Sequence, residues 1–301
     1  MGIHLLNRFL RSKNPKGINE ISLSHFTGKK IAIDMSIYIY RYVSQDALLP
    51  NIQKMIHVFQ KYNIRPLFVF DGKKTENKSE TLIKRREDKI KAFKTYQEIK
   101  HGNNPFTAQN KRKMRDLKRK STFINLDMIN SVKNLFDTNR ISYITAKGEA
   151  DILCAALANS KKVYAVLSED TDMFAYGVPI VLKYFSFVKH SVVMYNTSEI
   201  LDNLNITYEE FLTVCILSGT DYNKGIGNFF DIYNAILNYK KKCCKCNSNI
   251  SCAFCEWFDN NNTSDKPLFD IMETKSNYYL DNKNILKDYP FIVIRNVACV
   301  C

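Results

Sequence analysis

Acidic residues close several apolar runs in this chain, and their number and spacing suit metal-assisted hydrolysis of a phosphodiester. Lys30-Ile31-Ala32-Ile33 runs into Asp34, and Leu67-Phe68-Val69-Phe70 runs into Asp71. Glu149 and Asp151 flank Ala150, and Asp170 and Asp172 flank Thr171. Phosphodiester hydrolysis by two metal ions needs clustered carboxylates. Oxygen ligands suit Mg²⁺, which keeps several waters and takes few protein ligands. One ion can lower the pKa of an attacking water while the pair stabilises the attacking and leaving oxygens. Taken singly, Asp34 or Asp71 is equally well explained as a helix N-cap or turn former. The two pairs are sharper. Glu149 and Asp151 stand at the start of a helical pattern, where the helix dipole favours anions. Many like charges in one crevice are costly without cations.

The elements that would position these acids alternate. The runs ending at Asp34 and Asp71, and Val163-Tyr164-Ala165-Val166-Leu167 leading into Ser168-Glu169-Asp170-Thr171-Asp172, have the length and β-branched content of buried strands. Between them lie helical patterns. Pro50 stands at a favoured first-turn position, with Ile52, Met55, Ile56 and Phe59 following at helical spacing. A second pattern follows Asn125, and a third runs from Ala150 to Ala158. Alternation of strands and helices predicts an α/β fold with a central, mostly parallel sheet flanked by helices. Ligands of such sheets gather beyond the carboxyl ends of the strands, where these acids fall. Ile180–Tyr184 and Ser191–Tyr195 read as further strands, and Glu209–Leu217 as a helix.

The formal charge of the 301-residue chain is +14, and it is unevenly spread. Residues Lys73–Lys120 hold seventeen Lys or Arg against six Asp or Glu, a net +11. A basic excess confined to one stretch marks a site for a polyanion, with a solvated helical face or a basic arm as the bland alternative. Within it, Lys78 and Arg85 are two helical turns apart and share a face. From Lys89 to Lys120 the chain reads as two basic helices, broken at Gly102-Asn103-Asn104-Pro105. No apolar run has the form of a signal peptide or membrane span, so a soluble intracellular protein is expected. Cys154 and Cys215 sit in apolar helical patterns as small buried thiols. Cys243, Cys246, Cys252 and Cys255 form two C-x-x-C pairs, a zinc pattern with a short intervening loop; reduced thiols are the alternative.

The ordered motifs resemble those of the flap endonuclease family, within the structure-specific 5′ nucleases that include the xeroderma group G nuclease. The match runs through Met1-Gly2-Ile3, Ile31-Ala32-Ile33-Asp34 with Ser36 and Tyr40, and Val69-Phe70-Asp71-Gly72-Lys73. It continues with Gly148-Glu149-Ala150-Asp151, Ser168-Glu169-Asp170-Thr171-Asp172 and Leu217-Ser218-Gly219-Thr220-Asp221-Tyr222. The resemblance implies a PIN-like 5′-nuclease fold and a seven-acid metal site of Asp34, Asp71, Glu149, Asp151, Asp170, Asp172 and Asp221. Asp151 stands where the family usually has Glu, one methylene longer. Two Mg²⁺ ions are implied, with Mn²⁺ as a substitute.

The resemblance further implies that Lys78 and Arg85 grip the scissile phosphate and that Tyr40 stacks on the adjacent nucleotide. It places the basic segment, about 73–120, in a helical arch that passes a 5′ single strand. Gly2, Lys111, Arg112, Arg115, Gly225 and Gly227 fall among DNA-contacting positions. The last two belong to a glycine-bearing helix–turn–helix that often holds K⁺, here shortened and followed by Phe229 and Phe230 instead of Lys. The implied division is a nuclease core, 1–220, and a duplex-binding, Cys-rich region, 221–301. Flapped or branched DNA is the expected partner of a monomer. No sliding-clamp motif is seen. The Asn- and Lys-rich composition suggests an AT-rich genome, such as that of a large DNA virus, so the nucleus and a cytoplasmic replication site both stand as locations. The rival readings are a 5′→3′ exonuclease, a Holliday-junction resolvase and a non-catalytic DNA-binding module.

Overall fold

In a computed structural model, residues 2–72, 79–101, 107–242, 274–290 and 292 are described, with only the backbone described at 79–86, 108 and 242. The chain divides into two compact units. The first is drawn from residues up to Ile33 and from Asp151 to Ile292, and the second from Asp34–Ala150.

In the first unit, α1 (Leu6–Lys13) precedes β1 (Ile18–Ser22) and β2 (Lys30–Asp34), whose last residue opens the second unit. The return stretch begins in α7 (Ala150–Asn159) and continues through β5 (Ala165–Leu167), α8 (Asp172–Ala175), β6 (Ile180–Ser186) and β7 (Ser191–Asn196). It ends in α9 (Thr197–Leu204), α10 (Tyr208–Ser218) and α11 (Phe229–Lys242). Its strands lie in the order β1-β7-β6-β5-β2. The inner pairs β2·β5 and β5·β6 are parallel, while β6·β7 and β7·β1 are antiparallel. Parallel strands are buried on both faces, which explains the unbroken apolar run Ala165-Val166-Leu167. The helix α1 buries Leu6, Phe9 and Leu10, and the Phe9 ring lies 4.7 Å from Phe229 and 4.9 Å from Tyr233 of α11.

In the second unit, α2 (Met35–Ser44) and α3 (Leu48–Lys61) lead to β3 (Arg65–Phe70), and α4 (Ser79–His101), α5 (Ala108–Lys120) and α6 (Leu126–Thr138) precede β4 (Tyr143–Thr145). β3 and β4 pair in parallel. Buried Phe136 of α6 stacks on Phe68 of β3 with ring centroids 4.4 Å apart. The expected pair of basic helices is present as α4 and α5, which pack on each other. Asn103 and its neighbours, the expected break, lie outside the described residues. Among the described residues, no helix is long and apolar enough to cross a membrane.

Candidate metal and DNA site

The acids of the second unit serve as caps as well as metal-ligand candidates. Asp34 ends β2 and N-caps α2, its Oδ1 accepting from Ser36 N at 3.1 Å. Asp71 follows β3. Its Oδ2 accepts from Ser36 Oγ at 2.6 Å and its Oδ1 from Ala150 N at 2.8 Å. One carboxylate therefore ties the end of β3 to the starts of two helices. Gly72 makes this approach tight: its N–H donates to the Gly148 carbonyl at 2.8 Å, and a Cβ there would fall 1.9 Å from the Ala146 carbonyl oxygen. Glu149, half-buried, lies in the same turn.

In the first unit, the loop after β5 holds the second acidic pair. Asp170 and Asp172 are 7% and 3% exposed, a burial that demands cations or donors. The loop is fastened by its own backbone: Asp170 N donates to Ser168 Oγ, and Asp172 N donates to Asp170 Oδ1, each at 3.1 Å. Thr171 Oγ1 accepts from Ile3 N at 2.8 Å. That bond lays Gly2 against the acids, with φ +82°, where a Cβ would fall 2.3 Å from Asp170 Oδ1 and 2.8 Å from Asp172 Oδ1. Asp151 caps its own helix start, its Oδ1 accepting from Ile152 N at 2.7 Å. Asp221 follows the turn after α10. There Thr220 Oγ1 donates to Asn223 Oδ1 at 2.7 Å and accepts from Tyr222 N at 3.1 Å.

Buried phenols and a thiol lie near Asp151 and Asp172. Tyr176 Oη and Tyr222 Oη are 3.2 Å apart, and the rings of Tyr176 and Tyr222 stand 5.2 and 5.5 Å from that of Tyr278. Burial pushes the Tyr176 phenol far above its ordinary range, and the negative charges of Asp151 and Asp172 add to the shift. Cys215 is also pushed well up, by burial first and by Asp172 second, and so is an inert thiol. Sequence reasoning missed Tyr176, Tyr278 and Lys183. The last left one signal, a lysine inside the apolar run Ile180–Tyr184. Glu169 has a structural place: its Oε1 accepts from Tyr184 N at 2.9 Å.

The donor set is oxygen-rich and anionic, and the space beside Asp170 and Asp172 is one that a single methyl at residue 2 would fill. These features fit small, hard divalent cations. Among the described residues, no three His, Cys, Asp or Glu side chains converge into a metal cage made by protein alone. Cys243, Cys246, Cys252 and Cys255, the expected zinc ligands, lie outside the described residues.

The nucleic-acid candidates are more dispersed. Tyr40 is 38% exposed on α2, with the Lys89 ammonium 4.4 Å from its ring centre. Lys111, Arg112 and Arg115 are exposed on α5. Arg85 lies in α4, where only its backbone is described, and Lys78 lies outside the described residues. Gly225 and Gly227 lie in the turn between α10 and α11. Together with Gly2, His4, Ser218 and Lys224 they line a concavity of about 550 Å³. Gly225 has an internal reason to be glycine, since a Cβ there would fall 2.3 Å from the Ser218 carbonyl.

Residues 1–92 match the XPG N-terminal domain, and residues 140–221 match the XPG I-region. The chain is 32% identical to flap endonuclease 1 of Encephalitozoon cuniculi over 247 residues, which is 75% of this chain and 70% of that protein. The chain belongs to the flap endonuclease/XPG family. It is also 30% identical to flap endonuclease 1 of Glossina morsitans morsitans over 244 residues, 75% of this chain but 62% of that enzyme. Among solved structures, it shares its fold with the catalytic core of Rad2 in complex with DNA substrate. That likeness has a TM-score of 0.65 at 22% identity and covers 93% of this chain and 86% of the other. The mixed sheet and flanking helices are thus those of the flap endonuclease/XPG nucleases, as the order of the motifs implied.

Proposed function

We propose that this family member is a Mg²⁺-dependent, structure-specific 5′ nuclease that cuts DNA near the junction of a 5′ single strand with a duplex. The observation that supports this reading is the buried acidic pair Asp170 and Asp172, in a loop fastened by its own backbone N–H groups and packed closely against Gly2. Asp34, Asp71, Glu149, Asp151, Asp170, Asp172 and Asp221 would hold two divalent ions, directly or through water, with Mn²⁺ able to replace Mg²⁺. When bound, such ions supply an activated water and offset charge on the attacking and leaving oxygens.

The protein's own side chains do the rest. Lys78 and Arg85 hold the scissile phosphate, Arg through a planar fork and Lys as a point charge. Tyr40 supports the neighbouring base by stacking, which tolerates any sequence. Lys111, Arg112 and Arg115 draw the single strand by its phosphates. A panel of flap, nick, gap and four-way substrates, each with a free or blocked 5′ end, tests the proposal. Cleavage of flaps that is lost on blocking the 5′ end is expected. Efficient symmetric cutting of four-way junctions, indifferent to 5′ blocking, would overturn it in favour of a resolvase.

A further inference from the structure

Two turns of the first unit meet at the amino-terminal ends of its inner parallel strands. Thr27-Gly28-Lys29 leads into β2, and Ser160-Lys161-Lys162 leads from α7 towards β5. Tyr164 N donates to the Lys30 carbonyl at 2.8 Å, and the Lys29 ammonium lies 4.9 Å from the centre of the Tyr164 ring. Lys29, Lys30, Lys161 and Lys162 are all exposed. Residues 21–33 and 152–168, which surround them in sequence, contain no Asp or Glu. Among the described residues, none of the four lysines joins an ion pair. The end of α7 explains part of this charge, because a helix dipole favours cations at its carboxyl end. It does not explain Lys29 and Lys30, which stand at the start of a strand. Nor does it explain where Lys161 sits. Lys161 N donates to the Ala158 carbonyl and Lys162 N to the Leu157 carbonyl, each at 2.9 Å, which closes the helix with a turn whose left-handed residue is usually glycine. Lys161 takes that place with a φ of 56°.

Four unpaired lysines on adjoining turns suit a polyanion. Protein interfaces are depleted in lysine and built around aromatic or arginine anchors. Neither stretch has an arginine or an exposed large hydrophobic residue. Tyr164, whose ring carries Lys29, is half-buried and gives single-stranded bases little to stack on. Phosphates of a duplex need only point charges. A strand rises about 3.3 Å per residue, so these lysines stand about 13 Å behind Ser168, where the acidic loop begins. We propose that this edge of the sheet is a second DNA-binding surface, which holds the phosphate backbone of a duplex separate from DNA bound at the acidic loop. The separateness rests on the reading of that loop as the nuclease site.

Sedimentation of the full chain in EDTA tests this, with protein saturated by unlabelled flap DNA and then titrated with a labelled blunt duplex. The parent is expected to form a ternary complex. Its second binding step should fall with salt with a logarithmic slope of about three to four, at about 0.9 per phosphate contact. K29Q/K30Q/K161Q/K162Q is expected to bind the duplex at least tenfold more weakly and to bind and cut the flap as the parent does. K161G, which suits its turn, decides the matter if the fourfold variant does not fold; a several-fold weaker second step is expected. No ternary complex with the parent, or parental duplex binding by the variants, would overturn the proposal. So would equal loss of flap and duplex binding, which would make the lysines part of one continuous surface. Binding of a labelled polyglutamate peptide in place of the duplex would assign the edge to an acidic protein and overturn it too. If the parent binds no flap, the nuclease reading fails, while binding of the duplex alone by parent and variants still decides whether these lysines hold DNA.

Discussion

Gly2 touches the acidic loop more closely than any side chain could. A methyl at this position would overlap the carboxylate oxygens of Asp170 and Asp172 and would also have to accept a φ of +82°. Gly2→Ala should therefore push the pair apart. Displacements of about 1 Å around reacting groups cost on the order of a hundredfold in rate. Flap cleavage by Gly2→Ala is expected to drop by about that factor, with a stability loss of about 1–3 kcal/mol from the overlap. Single-turnover cleavage and chemical denaturation measure the two effects; a variant with parental rate would show that the loop does not need this contact. Asp34 and Asp71 stood out in the sequence because each closes an apolar run. The bland reading of Asp34 as an N-cap was also correct, since a carboxylate can cap α2 and still present a second oxygen. Lys183 was not legible. A lysine in a strand ordinarily marks the solvent face, and nothing local reveals that β6 lies inside its sheet, with β5 on one side and β7 on the other.

The helix that precedes Asp221 is stabilised at its start by reciprocal capping. Thr207 Oγ1 accepts from Glu210 N at 3.2 Å, and Glu210 Oε2 accepts from Thr207 N at 2.7 Å. Lys240 of α11 adds an ion pair to the same carboxylate at 2.9 Å, with Glu210 only 2% exposed. Thr207→Ala should cost about 1 kcal/mol, the usual value of a lost N-cap. Urea denaturation reads this directly, and an unchanged midpoint would mean that packing alone sets the helix start. The body of α10 was readable as a helix because Phe211–Leu217 is apolar on every side, as befits an element buried all round. The strand expected at Val163–Leu167 is shorter, Ala165–Leu167, although Tyr164 N still donates to the Lys30 carbonyl. Strand ends depend on partners far away in sequence, so their limits were not available locally.

Across the whole molecule, charge and connectivity tell different stories. The basic excess of Lys73–Lys120 is visible in the sequence and reappears as exposed Lys and Arg on α5. DNA affinity should fall steeply with salt, the logarithmic slope losing about 0.7–0.9 for each phosphate contact removed. Replacing Lys111, Arg112 and Arg115 together by Ala should flatten that slope by about two to three units in a fluorescence-anisotropy titration. An unaltered slope would remove α5 from the DNA-contacting surface. The assembly of the first unit from two distant stretches was not legible, because it depends on the pairing of Ile31–Ile33 with Ala165–Leu167, more than 100 residues away. The family was legible in the ordered acidic motifs, whose residue types suit the proposed chemistry of holding cations. The most direct test of that chemistry is cleavage of a labelled 5′ flap in Mg²⁺ by the parent and by Asp172→Ala. The parent is expected to cut near the junction and the variant to lose cleavage while still binding the flap; equal cutting by both, or none by the parent, would contradict the assigned site.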